Sequence, residues 1–185
     1  MQVRPNPPFQ GTARSCASRF LRGFAAPAAP ELVRERMNIE YLADHKEVIP
    51  TLAQWFYEEW AYLHPDRTLA DVNRLLSERA NTNKIPVALI AFEGKELLGT
   101  VCLKVHDMDT RLDLTPWLAG LYVSAPRRRQ GIGAALIAAI EKTARDLGVN
   151  NLYLYTPESE GFYSRLGWHV KESVAAGCKL THPAD

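Results

Sequence analysis

Pro126-Arg127-Arg128-Arg129-Gln130-Gly131-Ile132-Gly133 lies between an apolar run, Trp117–Val123, and an alanine-rich segment of helical period. Three arginines and two glycines at the mouth of a helix are a poor way to build a core. They are a good way to hold an anion. The first four backbone N–H groups of a helix have no partner within it, and that end carries a partial positive charge. Glycines let a bulky anion approach those amides, and Arg128 and Arg129 add charge-assisted hydrogen bonds. The stretch reads as a phosphate cradle.

Two familiar cradles fail here. A P-loop ends in Gly-Lys-Ser/Thr, whereas Gly133 is followed by Ala134. A dinucleotide fingerprint needs a third glycine where Leu136 stands, and no acidic residue closes a second strand at the expected spacing.

Working outward, the order of elements is legible. "NIEYL" (38–42) reads as a strand, and Asp44 with Glu47 as a helix-capping pair. Ile49, Leu52, Phe56 and Trp60 then fall close to one helical face, with Pro50 in the first turn. A second helix follows Thr68, with Leu69, Val72, Leu75 and Leu76 inward. "PVALIAF" and "LLGTVCLKV" are strands around a turn at 93–96, and "WLAGLYV" is another strand. A long helix after the glycines turns Leu136, Ile137, Ile140, Ala144 and Leu147 inward and stops at Gly148. "NLYLY", a short helix in "SEGFYSRLG", "WHVKESV" and "GCKLTH" complete a β-α-α-β-β-β-α-β-α-β-β order. This is an α/β (α+β) chain with an antiparallel meander and a βαβ crossover in one mixed sheet.

Arg128-x-x-Gly131-x-Gly133 resembles the R/Q-x-x-G-x-G/A signature of the GNAT acyltransferases, and "GFYSRLGW" (161–168) resembles that family's aromatic-Tyr-x-x-x-Gly-aromatic segment. The resemblance extends over residues 37–185. It implies the GNAT fold, a single mixed, mainly antiparallel sheet of 6–7 strands flanked by about four helices. It also implies acetyl-CoA as cosubstrate, whose acetyl group is transferred directly to a primary amine. Arg128, Arg129, Gln130, Gly131, Ile132, Gly133 and Ala134 would hold the pyrophosphate, and Leu121 and Val123 would line the pantetheine. The Val123 amide would serve as oxyanion donor, and Tyr163 would face the sulfur as general acid, with Phe162 and Leu166 packed inward. Thr156 stands near the position of a cofactor-contacting Asn in many relatives. Where histone-type members carry a base Glu, this chain has Trp117. The base is therefore open between a water chain and a carboxylate of "HDMDTRLDL", such as Asp113; Asp107, Asp109 and Asp113 also suit a solvated loop.

The acceptor is expected between the first helices and the loop before Trp117, where Trp55, Tyr57, Glu58, Glu59, Trp60, Tyr62 and His64 suit a cationic or aromatic amine. Two other readings stand beside a small-molecule acceptor: a protein or peptide N-acetyltransferase, and an acyl-CoA sensor without turnover, which the missing glutamate motivates.

Charge divides unevenly. Residues 1–36 hold six Arg against Glu31 and Glu35, a net of +4 within a chain total of +1, leaving −3 for the rest. That slightly acidic remainder argues against a nucleic-acid partner. The arginine-rich, acid-poor 1–36 stretch is expected to be a disordered extension of a domain spanning 37–185, with an organelle-targeting peptide as the lesser alternative. Otherwise a cytoplasmic protein is expected, monomeric or homodimeric. No apolar run approaches the roughly 18–20 residues of a membrane span. Cys16, Cys102 and Cys178 are too scattered for a disulfide framework or zinc site, and no metal is expected.

Overall fold

A computed structural model describes residues 37–174 and 177–183; the 1–36 stretch and Cys16 lie outside the described residues. The strands are β1 (Met37–Tyr41), β2 (Val87–Glu93), β3 (Glu96–Lys104), β4 (Trp117–Val123), β5 (Asn151–Thr156), β6 (His169–Val174) and β7 (Gly177–Pro183). The α-helices are α1 (Ile49–Trp60), α2 (Leu69–Glu78), α3 (Ile132–Asp146) and α4 (Glu160–Ser164). All seven strands form one sheet in the order β1-β2-β3-β4-β5-β7-β6. Every neighbouring pair is antiparallel except β4 and β5. The expected sheet, strand count and helix count are those observed.

Helices cover both faces, which is why β2 is an unbroken apolar run instead of an alternating one. Val87, Leu89 and Ala91 pack with Leu98, Leu118, Leu136, Ile137, Ile140 and Trp168 on the face of α3 and α4. Ala88, Ile90 and Phe92 pack with Leu52, Phe56, Leu76 and Cys102 on the face of α1 and α2. The inward set read for α3 is buried from Leu136 to Ala144, and Gly148 (φ +77°) ends the helix. Among the described residues no helix is long and apolar enough to cross a membrane.

Two local expectations are corrected. Asp44 and Glu47 lie in two short 3₁₀ turns, and α1 starts at Ile49 with Val48 as N-cap and no side-chain cap. Pro50 in its first turn has no N–H to satisfy, which reduces the need for one. The capping box sits one helix later. Thr68 N donates to Asp71 Oδ2 at 3.0 Å and Asp71 N to Thr68 Oγ1 at 3.2 Å; the Thr68 hydroxyl and backbone bonds lower the Asp71 pKa. Leu69, in the first turn of α2, is 40% exposed. Its helical period matches the inner face, but only Val72 and Leu76 of that helix are buried.

The feature that shapes the site is in β4. Its pairing with β3 slips between Thr100 and Cys102, whose partners Tyr122 and Ala119 are three residues apart. The extra residue is a β-bulge at Gly120–Leu121, and Gly120 takes φ +58°. A Cβ on Gly120 would stand 3.0 Å from the Phe56 ring and 3.2 Å from Cys102 Sγ, so glycine is required by conformation and by space. On its other edge β4 pairs with β5 only through Trp117 and Tyr153, beside a bond from Tyr153 N to Pro116 O at 3.1 Å. Beyond Trp117 no strand among the described residues pairs with that side of β4.

Gly94, in the β2–β3 turn, has nearly the same φ (+59°) with nothing within 4 Å of an added Cβ. Gly94→Ala should therefore lose only the left-handed backbone term, about 1 kcal/mol, and Gly120→Ala at least about 2 kcal/mol because a clash is added. Urea unfolding of the two variants checks this; equal losses would remove the packing role given to Gly120.

Candidate active site

β4 and α3 build two walls of a cleft. Ser124 N donates to Leu98 O at 2.9 Å, so the adjacent Gly99–Val123 pair is a non-hydrogen-bonded one and the Val123 N–H points away from β3. It points toward the side that β5 has left. Leu121 and Val123 face α3, since a Cβ on Gly133 would stand 3.9 Å from Leu121 Cδ2 and 3.8 Å from Val123 Cγ2. Tyr122 points to the opposite face, its ring 5.2 Å from Trp55 and 6.1 Å from Trp60. The cleft, about 340 Å³, is lined by Leu121, Tyr122, Val123, residues 127–129 and 131–134, and Ser159, Phe162 and Tyr163 from the region of α4, with Glu59 reaching in from α1.

The three arginines separate into different tasks. A 3₁₀ turn at Ala125–Arg127 sends Arg127 back to the β2–β3 hairpin, where it pairs with Glu93 and lies 3.7 Å from Glu96. It braces the loop. Arg128 Nε donates to Val123 O at 3.0 Å, and its guanidinium reaches Glu59 at 3.4 Å and the Tyr122 ring at 5.5 Å. Arg129 is exposed and holds φ +63°, the one non-glycine with positive φ among the described residues. Gly131 follows at φ +83° as the N-cap of α3. The intrahelical ladder begins with Ala135 N donating to Gly131 O at 3.1 Å, so the amides of Ile132, Gly133 and Ala134 have no acceptor within the helix. Backbone kinked by left-handed residues, bare amides and Arg129 make an anion-binding concavity at the cleft. Gln130 sits in the same loop with its amide near Pro126 O at 3.4 Å. Every residue that the sequence nominated from Arg128 to Ala134, apart from Gln130, lines the cleft.

Phe162 and Leu166 are half-buried and pack against the core as expected, while Tyr163, at the cleft, is the more deeply buried at 8% exposed. After Gly167 the chain folds back, Trp168 N donates to Tyr163 O at 3.2 Å, and the Trp168 ring closes against Tyr163 at 6.2 Å. Burial raises the Tyr163 pKa to about 12, so the phenol keeps its proton across the physiological range. Thr156 is occupied locally: its Oγ1 accepts from Ser159 N at 3.1 Å and shapes the turn into α4.

Trp117 is fully buried and donates from Nε1 to Leu114 O at 2.7 Å. It is a core residue at the end of the splayed strand. Asp113 accepts twice from Arg111 at 2.8 Å, Arg111 also pairs with Glu172, and Asp113 does not line the cleft. Asp107 pairs with Lys104 at 2.5 Å. Of the aromatic and acidic residues nominated on and after α1, Glu59 alone lines the cleft. Tyr57, Trp60 and His64 line a separate cavity of about 60 Å³ between α1 and α2. Burial, then the Arg67 and Lys104 charges, hold the His64 pKa below its ordinary value. Tyr62 is 73% exposed. Ser159 and Tyr122 are lining residues that the sequence did not single out, since neither belongs to a motif. Among the described residues no group of three His, Cys, Asp or Glu is placed to hold a metal ion.

No curated protein matches this sequence. Solved structures do match in fold. An aminoglycoside 6'-acetyltransferase type Ii is 19% identical, with 80% of this chain and 97% of that chain covered at a TM-score of 0.63. The yncA protein of Salmonella typhimurium, a putative acetyltransferase solved with acetyl-CoA, is 16% identical over 81% and 95% of the two chains, TM-score 0.62. The paia N-acetyltransferase of Thermoplasma acidophilum, solved with coenzyme A, is 19% identical over 80% and 98%, TM-score 0.60. Residues 49–168, from the start of α1 to Trp168, match the acetyltransferase (GNAT) family model, and the chain belongs to that family.

Proposed function

We propose that the protein is an acetyl-CoA-dependent N-acetyltransferase that transfers the acetyl group directly to a primary amine of a small molecule. The observation that carries the reading is the cleft where β4 leaves β5, with bare α3 amides at one end and a protonated Tyr163 in its wall. The cradle fits a pyrophosphate: Arg129 and three free helix amides supply donors. Structures of similar fold were solved with coenzyme A or acetyl-CoA, which supports the same ligand here.

Acetyl-CoA supplies a thioester carbonyl to which the amine nitrogen adds before the carbon–sulfur bond breaks. The residues then have distinct work. Arg128 and Arg129 bind phosphate by their side chains, and Ile132, Gly133 and Ala134 by their amides, while Gln130, outside the cleft lining, shapes the loop. Leu121 and Val123 flank the pantetheine, and the outward Val123 N–H donates to the oxyanion. Tyr163 donates a hydrogen bond to the departing sulfur. Full proton transfer from a phenol of pKa about 12 to a thiolate of pKa about 8.5 is uphill, so its contribution is stabilisation of developing charge. The amine proton leaves through water, because Trp117 and Asp113 are both committed to structure.

CoA-thiol release from acetyl-CoA, measured with the full chain against alkylamines, aminoglycosides, amino acids, arylamines and short peptides, tests the reading. Release with a small amine supports it; release with peptides alone moves it to a protein acceptor, and CoA binding without any release to a sensor. Tyr163→Phe should lower kcat roughly tenfold to a hundredfold, the worth of one hydrogen bond to a charged group, with acetyl-CoA KM little changed. Wild-type kcat should not fall up to pH 10, because the buried phenol is still protonated there; a loss centred near the ordinary tyrosine value would place that phenol in water. Gly131→Ala must force a side chain into φ +83° and should raise the acetyl-CoA KM about tenfold, reflecting about 1–2 kcal/mol of backbone strain. Gly133→Ala adds a Cβ at ordinary contact distances, 3.5 Å from Phe162 and beyond, and should stay within about twofold of wild type. Comparable damage from both would mean that the αL cap is not what presents the amides.

A further inference from the structure

Arg128 has two places to be. It follows β4 closely enough to reach the α3 cradle, yet its guanidinium lies on the α1 side of the strand. There it covers the Tyr122 ring at 5.5 Å and faces Glu59 Oε2 at 3.4 Å, while Nε holds Val123 O at 3.0 Å. The Tyr122 ring is held in turn by Trp55 and Trp60 of α1. A ring face and a carboxylate converging on one cation are the elements of an ammonium site. Glu59 is the one carboxylate among the described residues lining the cleft. Both ends of the ion pair are open to solvent, 48% and 42% exposed, so the pair is weak and a diphosphate can outcompete it.

We infer that Glu59 and the Tyr122 ring form the recognition site for the ammonium group of a cationic alkylamine acceptor, and that Arg128 occupies this site itself until phosphate draws it to the cradle. The inference rests on the acetyl-CoA reading above. Arg128 cannot satisfy both sites with one planar fork. When it turns to phosphate, a carboxylate and an aromatic face are left beside the Val123 end of β4, where the transfer takes place. A cationic amine gains from both; a neutral arylamine gains nothing from Glu59. Cofactor and acceptor are therefore coupled through one side chain, and the coupling is reciprocal: a cation that displaces Arg128 tightens cofactor binding by the same factor.

The test is calorimetric titration of CoA into the full-length wild type, Glu59→Gln, Arg128→Gln and the double variant. A second titration, with and without saturating CoA, uses benzyltrimethylammonium, whose fixed charge cannot be acetylated. Glu59→Gln should bind CoA about twofold to fivefold more tightly than wild type, the scale of an exposed ion pair, and should have no effect in the Arg128→Gln background. The wild type should bind the probe severalfold more tightly with CoA present, and Glu59→Gln should lose that difference. Equal CoA affinity in wild type and Glu59→Gln, a Glu59 effect undiminished without Arg128, or probe binding indifferent to CoA would each overturn the inference while leaving the cofactor reading intact. Absence of CoA binding by the wild type would overturn the cofactor reading and this one with it.

Discussion

The site depends on one extra residue in β4. A strand inside a mixed sheet normally spends its amides and carbonyls on two neighbours. The bulge at Gly120–Leu121 adds local twist, and β4 keeps β3 as a neighbour along its length but β5 only at Trp117. The freed edge costs little because the cleft opens it to water and ligand. The Phe56 ring, packed where a Gly120 side chain would stand, joins the bulge to α1.

Parting the strands also separates two chemistries by the thickness of a sheet. On the α3 side lie Leu121, Val123, Gly133 and the bare amides, suited to an extended anionic cosubstrate. On the α1 side lie Tyr122, Trp55, Trp60 and Glu59, suited to a cation. The alternation of side chains along β4 assigns Tyr122 to one and its neighbours to the other. Arg128, at the strand's end, is long enough to serve either face. Arg127, pinned to Glu93, keeps the loop between strand and helix from following it.

The order of elements and the inner face of α3 were legible because periodicity and turn residues act locally. The cradle was legible because helix ends, glycines and arginines have the same meaning in most folds. Asp44–Glu47 misled because a capping pattern is cheap in sequence, and Pro50 had already lessened the demand for a cap. How deeply Tyr163 is buried was not legible, because helical spacing says nothing of Trp168, which returns after Gly167 to cover it.

By itself the sequence determined what each segment could become and what one loop could bind, since those depend on neighbours within a few residues. Only the tertiary structure decided which carboxylate enters the cleft, which arginine braces and which reaches, and that the β4 edge is left bare. Glu59 and Arg128 are 69 positions apart and Arg127 and Glu93 are 34, so their pairing follows from the sheet order, which no local pattern records.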